Sequence, residues 1–223
     1  MGESPTPPGL SAELHARLGG IPLHRILMNP PPGTATEEDL IAAWEGPEKH
    51  WCELVDGTLI HRRGTFLGSV LLGRLIGELG KFVSDHEAGV LLSGSAPIRL
   101  RPGLIRCPSL SFTPWGRVPR EEVPDEKVAS FVPELVVEML NEWYTAAEID
   151  RKLADYFEAG VKRAWVIDPT PLKGQTARVY TSAKRFKELD KAGTLDGGRV
   201  LPGFKLPLAD LFAAARRRKR KPR

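Results

Sequence analysis

The stretch Pro133-Glu-Leu-Val-Val-Glu-Met-Leu140, followed by Thr145-Ala-Ala-Glu-Ile-Asp-Arg-Lys-Leu-Ala-Asp-Tyr-Phe157 and Ala164-Trp-Val-Ile-Asp168, decides the fold. Short apolar runs at either end read as buried strands, and the middle segment reads as a helix. Thr145 and Glu148 have the spacing of a capping box, and Gly160 supplies a C-terminal stop. Ile149, Leu153, Tyr156 and Phe157 form the helix's apolar stripe. Lys152 lies three residues after Ile149 and four before Tyr156, so it borders the buried face, whereas Arg151 points away. A lysine at such a border can reach a neighbouring strand along its own stem. Glu138 is the one charge inside Leu135–Leu140, and a buried carboxylate needs a metal, a lysine or a strong donor as partner. On these residues alone, a structural Glu138–Lys152 ion pair, or an acid at the strand's exposed end, is as good a reading as two parts of a hydrolytic centre.

Working outward from that segment, Thr36-Glu37-Glu38-Asp39 opens a short helix, with Leu40, Ile41 and Trp44 on one face. Asp56-Gly57 between Trp51–Val55 and Thr58–Ile60 predicts a hairpin. Residues 66–83 read as a helix on the spacing of Leu71, Leu75, Leu79 and Phe82, despite four glycines. Short strands are expected at 89–92, 98–101, 110–112 and 177–181, with turns at Pro102-Gly103 and Pro202-Gly203. Leu206, Leu208, Leu211 and Phe212 close the domain. This order gives an α/β (α+β) fold, mixed strands and helices around one sheet. Residues 36–212 form the folded unit. Before it lies a Pro-rich, partly disordered segment, 1–35, and after it a basic tail, 213–223.

Composition sets limits on function. The 223-residue chain has a formal net charge of +4, but Arg216, Arg217, Arg218, Lys219, Arg220, Lys221 and Arg223 carry seven positive charges, leaving about −3 on the rest. The tail reads either as a solvated disordered end or as a salt-dependent contact to polyphosphate. No apolar run is long enough to span a bilayer, and the N-terminus lacks the pattern of a secretion signal. Two cysteines without CxxC spacing suit a reducing cytoplasm. The phosphate-binding loop, GxSxG and HExxH patterns are all absent. What remains is a carboxylate site for a hard cation such as Mg²⁺, which takes one or two carboxylates plus water and phosphate oxygens.

Three blocks together carry a resemblance. They are Trp51-Cys-Glu-Leu-Val-Asp-Gly57, Pro133-Glu-Leu-Val-Val-Glu-Met139, and Arg151-Lys-Leu-Ala-Asp-Tyr-Phe-Glu-Ala-Gly-Val161 leading to Trp165-Val-Ile-Asp-Pro169. From about Thr36 to Phe212 the chain resembles the Uma-two family of restriction-endonuclease-like proteins, within the PD-(D/E)XK nuclease superfamily. The resemblance implies a DNA endonuclease using Mg²⁺ or Mn²⁺ and, in enzymes that cut both strands, a homodimer. It makes Glu138 the metal-binding acid of the strand and Lys152 the active-site lysine, carried on the following helix. Glu53 becomes an auxiliary acid, although by its residues alone it reads as a solvated acid on a hairpin strand.

The chain also departs from that pattern. The family's other metal ligand is an aspartate in a Pro-Asp pair, and here Pro108 is followed by Ser109. A neutral hydroxyl ligates hard cations poorly, so the alternative expectation is a catalytically inactive protein that keeps the fold and binds DNA or a partner. Asn141-Glu142 replaces the usual serine-proline, and no histidine opens the helix near 66–70. Glu142 is the one nearby acid available as a replacement.

Overall fold

The computed structural model describes residues 9–94, 96–170 and 174–215, so the basic residues 216–223 lie outside it. In chain order the elements are α1 (Ala12–Arg17), α2 (Glu37–Glu45), β1 (Cys52–Val55), β2 (Thr58–His61), α3 (Phe66–Asp85), β3 (Gly89–Ser93), β4 (Ile98–Arg101), β5 (Leu104–Arg106) and β6 (Leu110–Pro114). There follow β7 (Leu135–Met139), α4 (Ala146–Glu158), β8 (Arg163–Asp168), β9 (Thr176–Ser182), β10 (Arg185–Leu189), β11 (Thr194–Asp196), β12 (Lys205–Pro207) and α5 (Leu208–Ala213).

The strands do not share one sheet. Six of them form a mixed sheet in the order β10-β9-β8-β7-β6-β3, in which β7 and β8 are the parallel pair and α4 is the crossover between them. A second sheet, β2-β1-β5-β4, stands beside it, and β11 and β12 pair separately. The division follows from short antiparallel hairpins, which need no crossover and so can build a sheet of their own. β5, β10, β11 and β12 had no separate signal in the sequence, because their short, charge-rich runs lack a periodic pattern.

Alternation on β7 separates the two faces of the main sheet. Leu135, Val137 and Met139 join Leu71, Leu75 and Leu79 of α3 and Leu211 and Phe212 of α5 in one apolar cluster. Val136 joins Ile149, Leu153 and Tyr156 of α4 in another, so Glu138, two residues on, points to the α4 side. Helices on both faces explain why β7 is buried along its whole length.

The folded body begins well before Thr36. Leu10, Leu14, Leu18, Ile21 and Ile26 pack in the α4-side cluster, and α1 is capped by Ser11. Gly19 makes this docking possible. Its φ is +89°, and a Cβ there would sit 2.5 Å from the Glu148 backbone nitrogen. Gly57, at φ +64° in the β1–β2 turn, is pressed equally closely against Gly33, which ties the N-terminal segment to the hairpin. Residues 1–8, where the Pro-rich start was expected to be disordered, lie outside the described residues.

Candidate active site

α4 carries the site, and its N-terminus forms only half of the anticipated capping box. The Thr145 hydroxyl accepts from the Glu148 backbone N–H at 3.0 Å. The Glu148 carboxylate is engaged elsewhere: Arg25 donates to both its oxygens at 2.7 and 2.8 Å, and both side chains are buried. A charge-assisted bidentate pair outcompetes a bond to one backbone N–H. It also clamps the N-terminal segment onto the helix that presents Lys152.

Lys152 does more than border the buried face; it is 1% exposed. Its Nζ lies 2.9 Å from Glu138 Oε1 and 3.0 Å from Glu53 Oε1, so the structure brings all three sequence-derived residues together. Burial alone would pull the Lys152 ammonium down, but Glu138 and Glu53 hold it above the usual lysine range. The Tyr156 phenol, pushed well up by burial and by the same two acids, donates to Glu138 Oε1 at 2.5 Å. Glu138 Oε2 is buried and has no hydrogen-bond partner among the described residues.

Glu53 is not a solvated hairpin acid. It is 1% exposed, and β1 places it toward β5 and α4. Arg106 donates to Oε2 at 2.9 Å, the Cys107 backbone N–H donates to Oε1 at 2.9 Å, and Arg62 lies 3.7 Å from Oε1. Burial opposes ionisation, yet Lys152, Arg106 and Arg62 together hold this carboxyl far below the usual range. Arg106 also forms a bond to Asp155 at 2.6 Å. Around Lys152 the cluster therefore contains Lys152, Arg62 and Arg106 against Glu53, Glu138 and Asp155, and Arg151, 3.0 Å from Asp155, extends it to Asp56 at 3.1 Å. It is electrically balanced by protein groups alone.

Extending the β6–β7 register by one residue places Ser109 across from Glu138. Its hydroxyl accepts from the Met139 N–H at 3.0 Å. Ser109 opens onto a cleft of about 270 Å³, lined also by Arg62, Arg63, Thr65, Asn141 and Tyr144. No carboxylate lines that cleft, and Glu142 is exposed outside it. Arg62, Arg106, Asp155 and Arg25 were not singled out in the sequence. Arg106 and Arg25 meet partners far along the chain, and no local spacing marks such a pair; Arg62 instead faces Glu53 across the β1–β2 hairpin, and Asp155 also has Arg151 one helical turn before it.

A divalent cation of the Mg²⁺ type needs several oxygen ligands. These residues provide one unpartnered carboxylate oxygen, Glu138 Oε2, and a hydroxyl already in use. Both Glu53 oxygens are engaged. Among the described residues no three His, Cys, Asp or Glu side chains are grouped to hold a metal ion. The donor set does not fit a resident divalent metal.

The mixed sheet, flanked by helices and with α4 crossing over between β7 and β8, is a restriction-endonuclease-like fold. The chain belongs to the Uma2 family, whose model is described as "Putative restriction endonuclease" and matches residues 38–209. Its structure is similar to the crystal structure of "a putative nuclease belonging to DUF820 from Anabaena variabilis ATCC 29413". The TM-score is 0.63 at 18% sequence identity, over 73% of this chain and 90% of that one. No curated protein matches the sequence. No helix among the described residues is long and apolar enough to cross a membrane.

Proposed function

We propose that this chain is a DNA endonuclease by fold and descent whose divalent-metal site is degraded, leaving DNA engagement as the activity its residues support in full. One observation carries this reading. Ser109, at 3.0 Å from the Met139 N–H, stands where a second carboxylate would have to be. Without it, Glu138 and Glu53 are matched by Lys152, Arg62 and Arg106, and little net negative charge is left to attract a dication. Arg63, which lines the cleft beside Ser109 and has no ion pair among the described residues, suits a phosphate of the DNA backbone.

A second reading, an active Mg²⁺- or Mn²⁺-dependent endonuclease, is favoured by the free Oε2 of Glu138. In that reading Glu138 is the metal-binding acid, Lys152 assists the attacking water, and Glu53 holds Lys152 in place. Plasmid nicking separates the two. Wild type and Glu138→Ala are both expected to leave supercoiled plasmid intact in about 10 mM Mg²⁺ or Mn²⁺. Metal-dependent nicking by wild type that Glu138→Ala abolishes would establish the active enzyme.

The basic run Arg216–Arg223 supplies sequence-independent attraction to DNA in this proposal. Deleting residues 216–223 is expected to weaken binding at low salt and to flatten its salt dependence. Identical affinities for the full and shortened chains throughout a salt titration would remove the tail from the interface. A cytoplasmic location and a homodimeric assembly for double-strand cleavage belong to the same proposal, and neither is needed for DNA engagement.

A further inference from the structure

β10 is an edge strand of the main sheet, and Arg185, Lys187 and their neighbours are exposed on it. Edge strands commonly carry positive charge because it discourages pairing with other chains. Here, however, the charges do not stand alone. Lys162 and Arg163 at the start of β8 and Arg199 in the turn after β11 line the same open groove, of about 1050 Å³. Its only acidic lining residue is Glu134, and that carboxylate is already paired with Arg117 at 3.0 Å. Arg163 has Asp196 at 3.8 Å. Lys162, Arg185, Lys187 and Arg199 have no ion pair with any described residue, in a body whose charge apart from the tail is about −3.

The groove is separate from the candidate active site. It opens where β7 and β8 begin, whereas Glu138 lies four residues beyond Glu134, about 13 Å along the strand. It also lies on the other face. Val179, in the groove wall, packs with α3 and α5, but Glu138 and Lys152 meet on the α4 side.

We propose that this groove is a second DNA-binding surface, holding the phosphate backbone of a duplex segment other than the one over Ser109. The choice of DNA rests on the proposed function. The polyanionic character of the ligand rests on the four unpaired cations. Four exposed lysines and arginines around one concave surface act through counterion release, so they bind without reading sequence. Bound here, DNA is tethered to the protein whatever the chemical state of the centre on the opposite face.

The test uses the full chain and a fluorescent duplex of arbitrary sequence. Arg185→Ala/Lys187→Ala/Arg199→Ala removes three exposed charges and is expected to bind roughly tenfold more weakly at low salt, with the log–log salt slope reduced by about 3. Arg74→Ala/Lys81→Ala/Arg120→Ala removes the same charge elsewhere on the surface and is expected to bind within about twofold of wild type. Equal losses in the two triple variants would overturn the groove and leave only a net-charge effect. Wild-type affinity in the first variant would overturn it too, while leaving the DNA reading intact. Failure of wild type to bind any duplex would overturn both.

Discussion

Lys152→Met is expected to destabilise the fold by about 3–5 kcal/mol, as removal of one partner from a buried ion pair generally does. The methionine fills much of the volume of the lysine stem, so packing is largely kept and charge is what changes. Glu53 retains Arg106 and the Cys107 N–H, but Glu138 is left with Tyr156 as its one donor. For a chain of this size the loss corresponds to a fall in Tm of roughly 10 °C or more. The second arm of the test is Lys152→Met/Glu138→Leu, which deletes the stranded carboxylate together with its cation. If uncompensated charge is the cause, the double variant recovers at least half of the loss. Urea unfolding of wild type, both single variants and the double variant measures the coupling. A loss below about 1 kcal/mol in Lys152→Met would mean that the three-residue contact contributes no more than a surface pair.

The elements that were legible in the sequence are those whose signals are local. Thr145 before an amphipathic run, Asp56-Gly57 between two apolar runs, and a single acid in Leu135–Leu140 each report on neighbours a few residues away. Glu138 and Lys152 were legible for the same reason, being joined by one crossover unit. The rest of the site is assembled through long-range pairs. Arg106 meets Asp155 from 49 residues away and Glu53 from 53. Arg25 meets Glu148 across 123 residues. Nothing in the immediate sequence of Arg106 separates a buried ion-pair partner from an exposed strand charge. Glu53 shows the cost of that ambiguity: a charge beside a hairpin turn has the pattern of a solvated residue, and only the docking of β5 and α4 over β1 buries it. Glu148 erred in the opposite direction. Its capping-box spacing was correct, but a buried guanidinium 123 residues upstream claimed the carboxylate.

Ser109→Asp is expected to give the protein metal-dependent nicking activity, on the order of 10² to 10⁴ above the wild-type background. The aspartate enters directly across from Glu138, and one carboxylate oxygen can keep the bond now donated by the Met139 N–H. Its other oxygen then joins the free Oε2 of Glu138 as the second carboxylate that a hard cation needs. The charge of the cluster shifts from balance to one net negative. Two adjacent carboxylates repel each other when no cation is present, so the variant is expected to be less stable than wild type in chelator. Addition of Mg²⁺ or Mn²⁺ should recover that loss, because an ion that binds only the folded state stabilises it by about 2.7 kcal/mol at a hundred times its Kd. Wild type, with one available carboxylate oxygen, is expected to show no such rise in Tm. The thermal readout tests the site even where turnover is too slow to see. A folded Ser109→Asp variant that neither nicks DNA nor responds to either metal would show that the hydroxyl is not what separates this centre from a working one. The locking of Glu53 by Arg62, Arg106 and Lys152 would then be the disabling feature, since those contacts hold the remaining acid away from any ligand in the cleft.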